Sequence, residues 1–115
     1  MRYQKWFFGA VLVLGLLAST TSAALEPTFT TIDPPGSVQT LGGGINNRGQ
    51  IVGRYIPRDA RFFLGFLLDH GTFTTIDVPG GTSSDTTQAF GINDRGQIVG
   101  TFRVAGQGIH GFLLD

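Results

Sequence analysis

The 115-residue sequence contains no cysteine. That excludes disulfide staples, thiolate metal ligands and a cysteine nucleophile. Lysine is nearly absent: Lys5 stands alone, and after residue 24 six arginines face eight carboxylates, a net charge of −2. No basic surplus exists there to neutralise a nucleic-acid backbone. No block of like charge marks an interaction tail. Histidine is limited to His70 and His110. Two imidazoles without cysteine and without His-Glu-x-x-His spacing do not make a zinc site. No stretch after residue 24 shows a helical period of useful length.

The one long apolar run, residues 6–18, falls short of the ~20 residues that span a bilayer. Arg2 and Lys5 precede it, and the small residues Ser19-Thr20-Thr21-Ser22-Ala23-Ala24 follow it. This is the three-part layout of a secretory signal peptide, with cleavage expected after Ala23 or Ala24. Residues 1–23 are therefore assigned to export, to the periplasm or the extracellular space, and residues 24–115 to one small domain. No membrane association is expected once the leader is removed.

That domain is written twice. Residues 44–53 read GINNRGQIVG and residues 91–100 read GINDRGQIVG, differing only at Asn47 and Asp94. TFTTIDPPG at 28–36 returns as TFTTIDVPG at 72–80, and GFLLD at 65–69 returns at 111–115. The offsets drift between 44 and 47 because the connecting loops change length. Preserved words with variable connections mark structural repeats with loops at the surface. The repeats run from about 28 to 71 and from about 72 to 115.

Each word reads as strand or turn. TFTTID is rich in β-branched and aromatic residues and leads into a Pro-Gly turn. Val78-Pro79-Gly80-Gly81 fits a type II turn. Asn46-Asn47-Arg48-Gly49 and Asn93-Asp94-Arg95-Gly96 fit type I turns, in which Gly49 and Gly96 supply the positive φ of a three-residue hairpin loop. Asp69-His70-Gly71-Thr72 is a second tight connection. Each repeat is thus expected to supply about four short strands. Apolar residues point to both faces of these strands, so the sheets should be covered on both sides. A repeat of about 45 residues with four strands is the unit of a β-propeller, so the fold class is all-β, with two blade-like repeats. The alternative is a compact duplicated β-sandwich or barrel.

These words resemble the HAF-repeat family of bacterial extracellular proteins, strings of GIN(N/D)xGQIVGxY, HGFL and GxFTTIDVPG. Residues 44–55, 71–80, 91–102 and 110–113 carry the likeness, in the same order twice. One position departs: the family's His before Gly-Phe-Leu is present as His110, but Leu64 stands there in the first repeat. The resemblance implies secretion and a propeller-like repeat fold, with no enzymatic activity attached.

Chemistry is sparse. Beyond the leader, serine occurs only at Ser37, Ser83 and Ser84, none within Gly-x-Ser-x-Gly. Asn93-Asp94-Arg95-Gly96 lacks the alternating ligands and distal Glu of a calcium loop. Gly44 and Gly49 have the spacing of a phosphate loop, but Gln50-Ile51 stands where Lys and Ser/Thr are required. Asp33 with Asp77, and Asp69 with Asp115, are repeat equivalents that close strands before turns, where Asp accepts local hydrogen bonds. The reading is a protein that is not an enzyme and has no catalytic, metal or cofactor-binding residues. Two positions stand out as possible ligand contacts: Arg48 and Arg95 recur at the hairpin tips, where their forks can grip an anionic glycan. The expected role is a structural or interaction module; alternatives are a carbohydrate-binding lectin-like module and, further off, a glycan-active enzyme. Propellers use about four to eight blades and this chain shows two. The segment from Thr28 to Asp33 and the segment from Gly111 to Asp115 are complementary open strand edges, which invite self-association.

Overall fold

The computed structural model describes residues 25–78 and 86–115. The expected signal peptide and residues 79–81 of the expected type II turn lie outside them. The described residues contain seven strands and no helix. Strands β1 (Ser37–Ile45), β2 (Ile51–Pro57), β3 (Leu64–Asp69) and β4 (Thr72–Ile76) form one antiparallel sheet in chain order. Strands β5 (Thr86–Ile92), β6 (Ile98–Val104) and β7 (Gly108–Leu114) form a second. All seven belong to one compact unit that begins at Ile32. The fold is all-β, and the two sheets stay separate rather than closing into the barrel alternative.

The turns follow their residues closely. Gly49 has φ +74° and donates its N–H to the Asn46 carbonyl at 3.1 Å. Gly96 has φ +82° and repeats the bond to Asn93 at 3.0 Å. Between β3 and β4, His70 and Gly71 both have positive φ, +48° and +82°. Two such residues make the mirror-image two-residue turn whose twist suits a hairpin.

The expectation of four strands in each sequence repeat needs correction. The second TFTTI is β4, but the first copy, 28–33, carries no strand. The reason lies just upstream. In the second copy, His70-Gly71 folds the segment back onto β3. In the first copy Glu26-Pro27 occupies that place, and proline cannot adopt positive φ. Sheets and sequence repeats are therefore one strand out of phase: β4 completes the first sheet, and among the described residues β7 pairs with β6.

Packing explains the repeated words. Phe66 pairs with Gly53 across β2 and β3, and Phe112 pairs with Gly100 across β6 and β7. A Cβ on either glycine would meet the phenylalanine ring at 2.8 Å. The last Gly of QIVG is thus the seat for the Phe of GFLLD. The first sheet carries a core on each face. On one face Tyr55, Phe66 and Leu68 are buried, with Ile32, Ile51, Leu64 and Phe73 packed against them. Phe66 meets Phe73 edge to face at 5.7 Å, and the Tyr55 hydroxyl bonds Thr75 at 2.7 Å. On the other face Val52 and Ile76 of the first sheet are buried together with Ala89 and Ile98 of the second. Burying Val52 and Phe66 completely stabilises the fold by about 1.5–3 kcal/mol each.

The sheets come close together where β1 passes β5. A Cβ on Gly43 would lie 2.8 Å from the Ala89 carbonyl oxygen. Both strands carry an irregularity at the equivalent point, between Gly42 and Gly44 and between Ala89 and Gly91. The extra residue is Gly43 in β1 and Phe90 in β5.

Candidate functional site

The hairpin tips are where the sequence placed its polar candidates. Asn46 is the hub of the first tip. Its Oδ1 accepts the backbone N–H groups of Arg48 and Gln50, each at 3.0 Å. Its Nδ2 donates to Gln50 Oε1 at 2.7 Å. Gln50 Nε2 then donates to the Asp69 carboxylate at 3.2 Å. The second tip repeats the scheme. Asn93 Oδ1 accepts from Arg95 and Gln97, Asn93 Nδ2 donates to Gln97, and Gln97 donates to Asp115 at 3.4 Å. A chain of side-chain bonds thus links the turn to the end of GFLLD in both repeats. Asp69 and Asp115 accept from these glutamines rather than from local backbone alone.

The two tips also bond each other. Asn46 Nδ2 donates to the Asn93 carbonyl at 3.0 Å. Asn47 donates its backbone N–H to Asp94 Oδ1 at 2.8 Å and its Nδ2 to Asp94 Oδ2 at 2.6 Å. The one difference within the repeated phrase is therefore the donor–acceptor pair that joins the two copies. The Asn47 backbone N–H, then its side-chain amide, hold the Asp94 carboxyl below its ordinary value. The nearby Arg48 charge acts in the same direction. Asp69 is likewise lowered, first by His70 Nδ1 at 2.6 Å and then by Gln50.

Arg48 and Arg95 are both exposed on tips that lie side by side. Arg48 stands close enough to Asp69 and Asp94 for its charge to lower both carboxyls. The Arg48 charge is the last of the causes that lower each carboxyl, and among the described residues neither arginine forms an ion pair. His110 is exposed, donates from Nε2 to the Gln107 carbonyl at 3.0 Å, and lies 5.4 Å from the Phe102 ring. His70 lies in the turn beside Asp69. His70 lies in the turn between β3 and β4 and His110 on β7, and among the described residues the two make no hydrogen bond to each other. Among the described residues, no group of three or more His, Asp or Glu is placed to hold a metal ion.

Two features escape the repeat alignment. Arg54, on β2, lies between the Phe63 and Phe90 rings, 5.4 and 5.3 Å from their centroids. Its buried Nε has no hydrogen-bond partner among the described residues. Such contacts favour the cation by roughly 0.5–2 kcal/mol each. Its counterpart in the second repeat is Thr101, and that asymmetry was the available signal. The second feature is a groove of about 180 Å³ lined by Thr86, Gln88, Thr101, Phe102, Arg103 and Ile109. It occupies, on the second sheet, the place that Arg54 and Phe63 occupy on the first, where Phe90 enters.

Comparison with protein-family models, with curated proteins and with solved structures returned no match.

Proposed function

We propose that this chain is an exported, non-enzymatic repeat protein that acts as a structural or interaction module, in keeping with its resemblance to the HAF-repeat family. The observation that carries this reading is the use made of the repeated polar side chains. Asn46, Gln50 and Asp69, and again Asn93, Gln97 and Asp115, are bonded to one another. Asn47 and Asp94 are spent on joining the two copies. Residues repeated for chemistry would present free lone pairs and protons to a substrate; these are turned on the fold.

The test is a polysaccharide panel and a glycan array, both run with the chain as released by an exporting host. No turnover and no saturable glycan binding are expected. Depolymerisation of any polysaccharide would overturn the non-enzymatic reading. Saturable glycan binding, lost in the Arg48→Ala, Arg95→Ala double variant, would replace it with the lectin-like module.

A further inference from the structure

Arg54 is framed by rings from both sheets. Its guanidinium carbon lies 5.4 Å from the centroid of Phe63, in the connection between β2 and β3, and 5.3 Å from that of Phe90, on β5. Backbone contacts hold the frame. The Phe63 carbonyl accepts the Thr87 N–H of β5 at 2.9 Å, and Phe90 is the extra residue where β5 leaves register. Nε of Arg54 is sealed from solvent and has no acceptor among the described residues. The two Nη nitrogens make no hydrogen bond either, but they are not sealed. They open at a rim beside Phe90, which is 42% exposed. Among the described residues no carboxylate lies within ion-pair distance of Arg54.

Packing alone does not account for this choice of residue. An apolar side chain would fill the space between two rings without stripping water from a charged donor. The repeat does not demand a cation here, because Thr101 and Ile109 stand in the second repeat where Arg54 and Phe63 stand in the first. The frame does supply a guanidinium whose plane is fixed and whose Nη edge is open. Stacking on rings pre-orients the fork, so little side-chain freedom is left to lose when an acceptor arrives. Two parallel N–H groups at that edge match the two oxygens of a carboxylate.

Resting on the reading of an interaction module, we infer that Arg54 is a binding site for a carboxylate carried next to an apolar group. The carboxylate sits on the Nη edge, and the apolar group lies against the exposed part of the Phe90 ring. The apolar rim selects a monovalent planar anion over a heavily hydrated dianion such as sulfate, whose water would have to be removed. The same chemistry is found at the end of a peptide chain that finishes in an aromatic residue and on a free aryl acid. Arg48 and Arg95, at the hairpin tips, have no ring over them among the described residues and take no part.

The experiment is a nuclear magnetic resonance titration of the chain as released by an exporting host. The probes are phenylacetate and the tripeptide Gly-Gly-Phe with a free C-terminal carboxylate. Both should shift the Arg54 side-chain signals and the Phe63 and Phe90 ring signals saturably. Phenylacetamide and the tripeptide amide should bind roughly tenfold more weakly or less. Arg54→Gln should abolish the shifts of the rings. Because that change could also loosen the frame, Arg54→Lys is the second variant: it keeps the charge and the apolar stem, loses the fork, and should bind roughly tenfold more weakly with the fold intact. Phe90→Gly installs the residue that β1 carries at the equivalent point, Gly43, and should weaken phenylacetate more than acetate. The Arg48→Ala, Arg95→Ala double variant should bind as the wild type does. Tighter binding of the tripeptide assigns the site to a chain terminus, and tighter binding of phenylacetate assigns it to a free acid. No saturable shift with either probe overturns the inference. So do amides that bind as well as the acids, or an Arg54→Lys variant that binds as well as the wild type. Each of these failures leaves the non-enzymatic reading standing, whereas polysaccharide turnover would remove that reading and leave this site intact.

Discussion

The two sheets are built from the same words and differ in what lies against them. Val52 and Val99 follow the same Gln-Ile, yet one is 0% and the other 49% exposed. Phe66 and Phe112 sit over equivalent glycines, but only Phe66 is fully buried. The first sheet has four strands and a buried cluster on each face; the second has three strands and contributes to the one cluster between the sheets. A repeated sequence therefore fixes turns, pairing and the choice of apolar residues, while burial is set by the next element in the stack. That is the behaviour of quasi-one-dimensional repeat arrays, in which each unit is stabilised by its neighbours.

The largest expected contrast is between the two phenylalanines. Phe66→Ala should cost about 3–5 kcal/mol in chemical denaturation, because it empties a site enclosed by Tyr55, Phe73 and Gly53. Phe112→Ala should cost less than about half of that, since its ring is already partly in water. Equal losses would mean that the second sheet is covered as completely as the first.

A smaller effect probes the seam between the tips. Hydrogen bonds from Asn47 lower the Asp94 carboxyl below its ordinary value of 3.8. A carboxyl lowered in the folded state stabilises it above that ordinary value, and the contribution fades as pH falls through the lowered one. Nuclear magnetic resonance titration should find the Asp94 midpoint low in the wild type and raised in Asn47→Ala. The stability difference between the two proteins should shrink on acidification below 3.8. An Asp94 midpoint at its ordinary value in the wild type would show that the two tips do not meet through this pair.

Much of this was legible in the residues. Asn and Gly at fixed places in the hairpins announced turns, because few residues adopt positive φ or bond their own backbone so readily. The all-β class followed from the same words. The fate of TFTTI was not legible, because one pentapeptide is a strand after His70-Gly71 and no strand after Glu26-Pro27. Pairing belongs to the neighbour, and the neighbour is chosen by the turn before it. Asn47 and Asp94 read as tolerance at a turn; the structure turns that single difference into a donor and an acceptor facing each other. Arg54 was passed over for a related reason: its ring partners, Phe63 and Phe90, come from outside its own hairpin. Arg48 and Arg95 stand at the tips, and the carboxyls that the Arg48 charge lowers, Asp69 and Asp94, come from two other segments, GFLLD and the second tip.

The most direct test compares Val52→Ala with Val99→Ala by equilibrium unfolding, at dilution where the chain is a single copy. If one word is buried by its neighbour and the other left open, Val52→Ala costs about 2 kcal/mol and Val99→Ala less than about 0.5 kcal/mol. Equal costs at the two positions would contradict the face-to-face stacking of unlike neighbours on which this account stands.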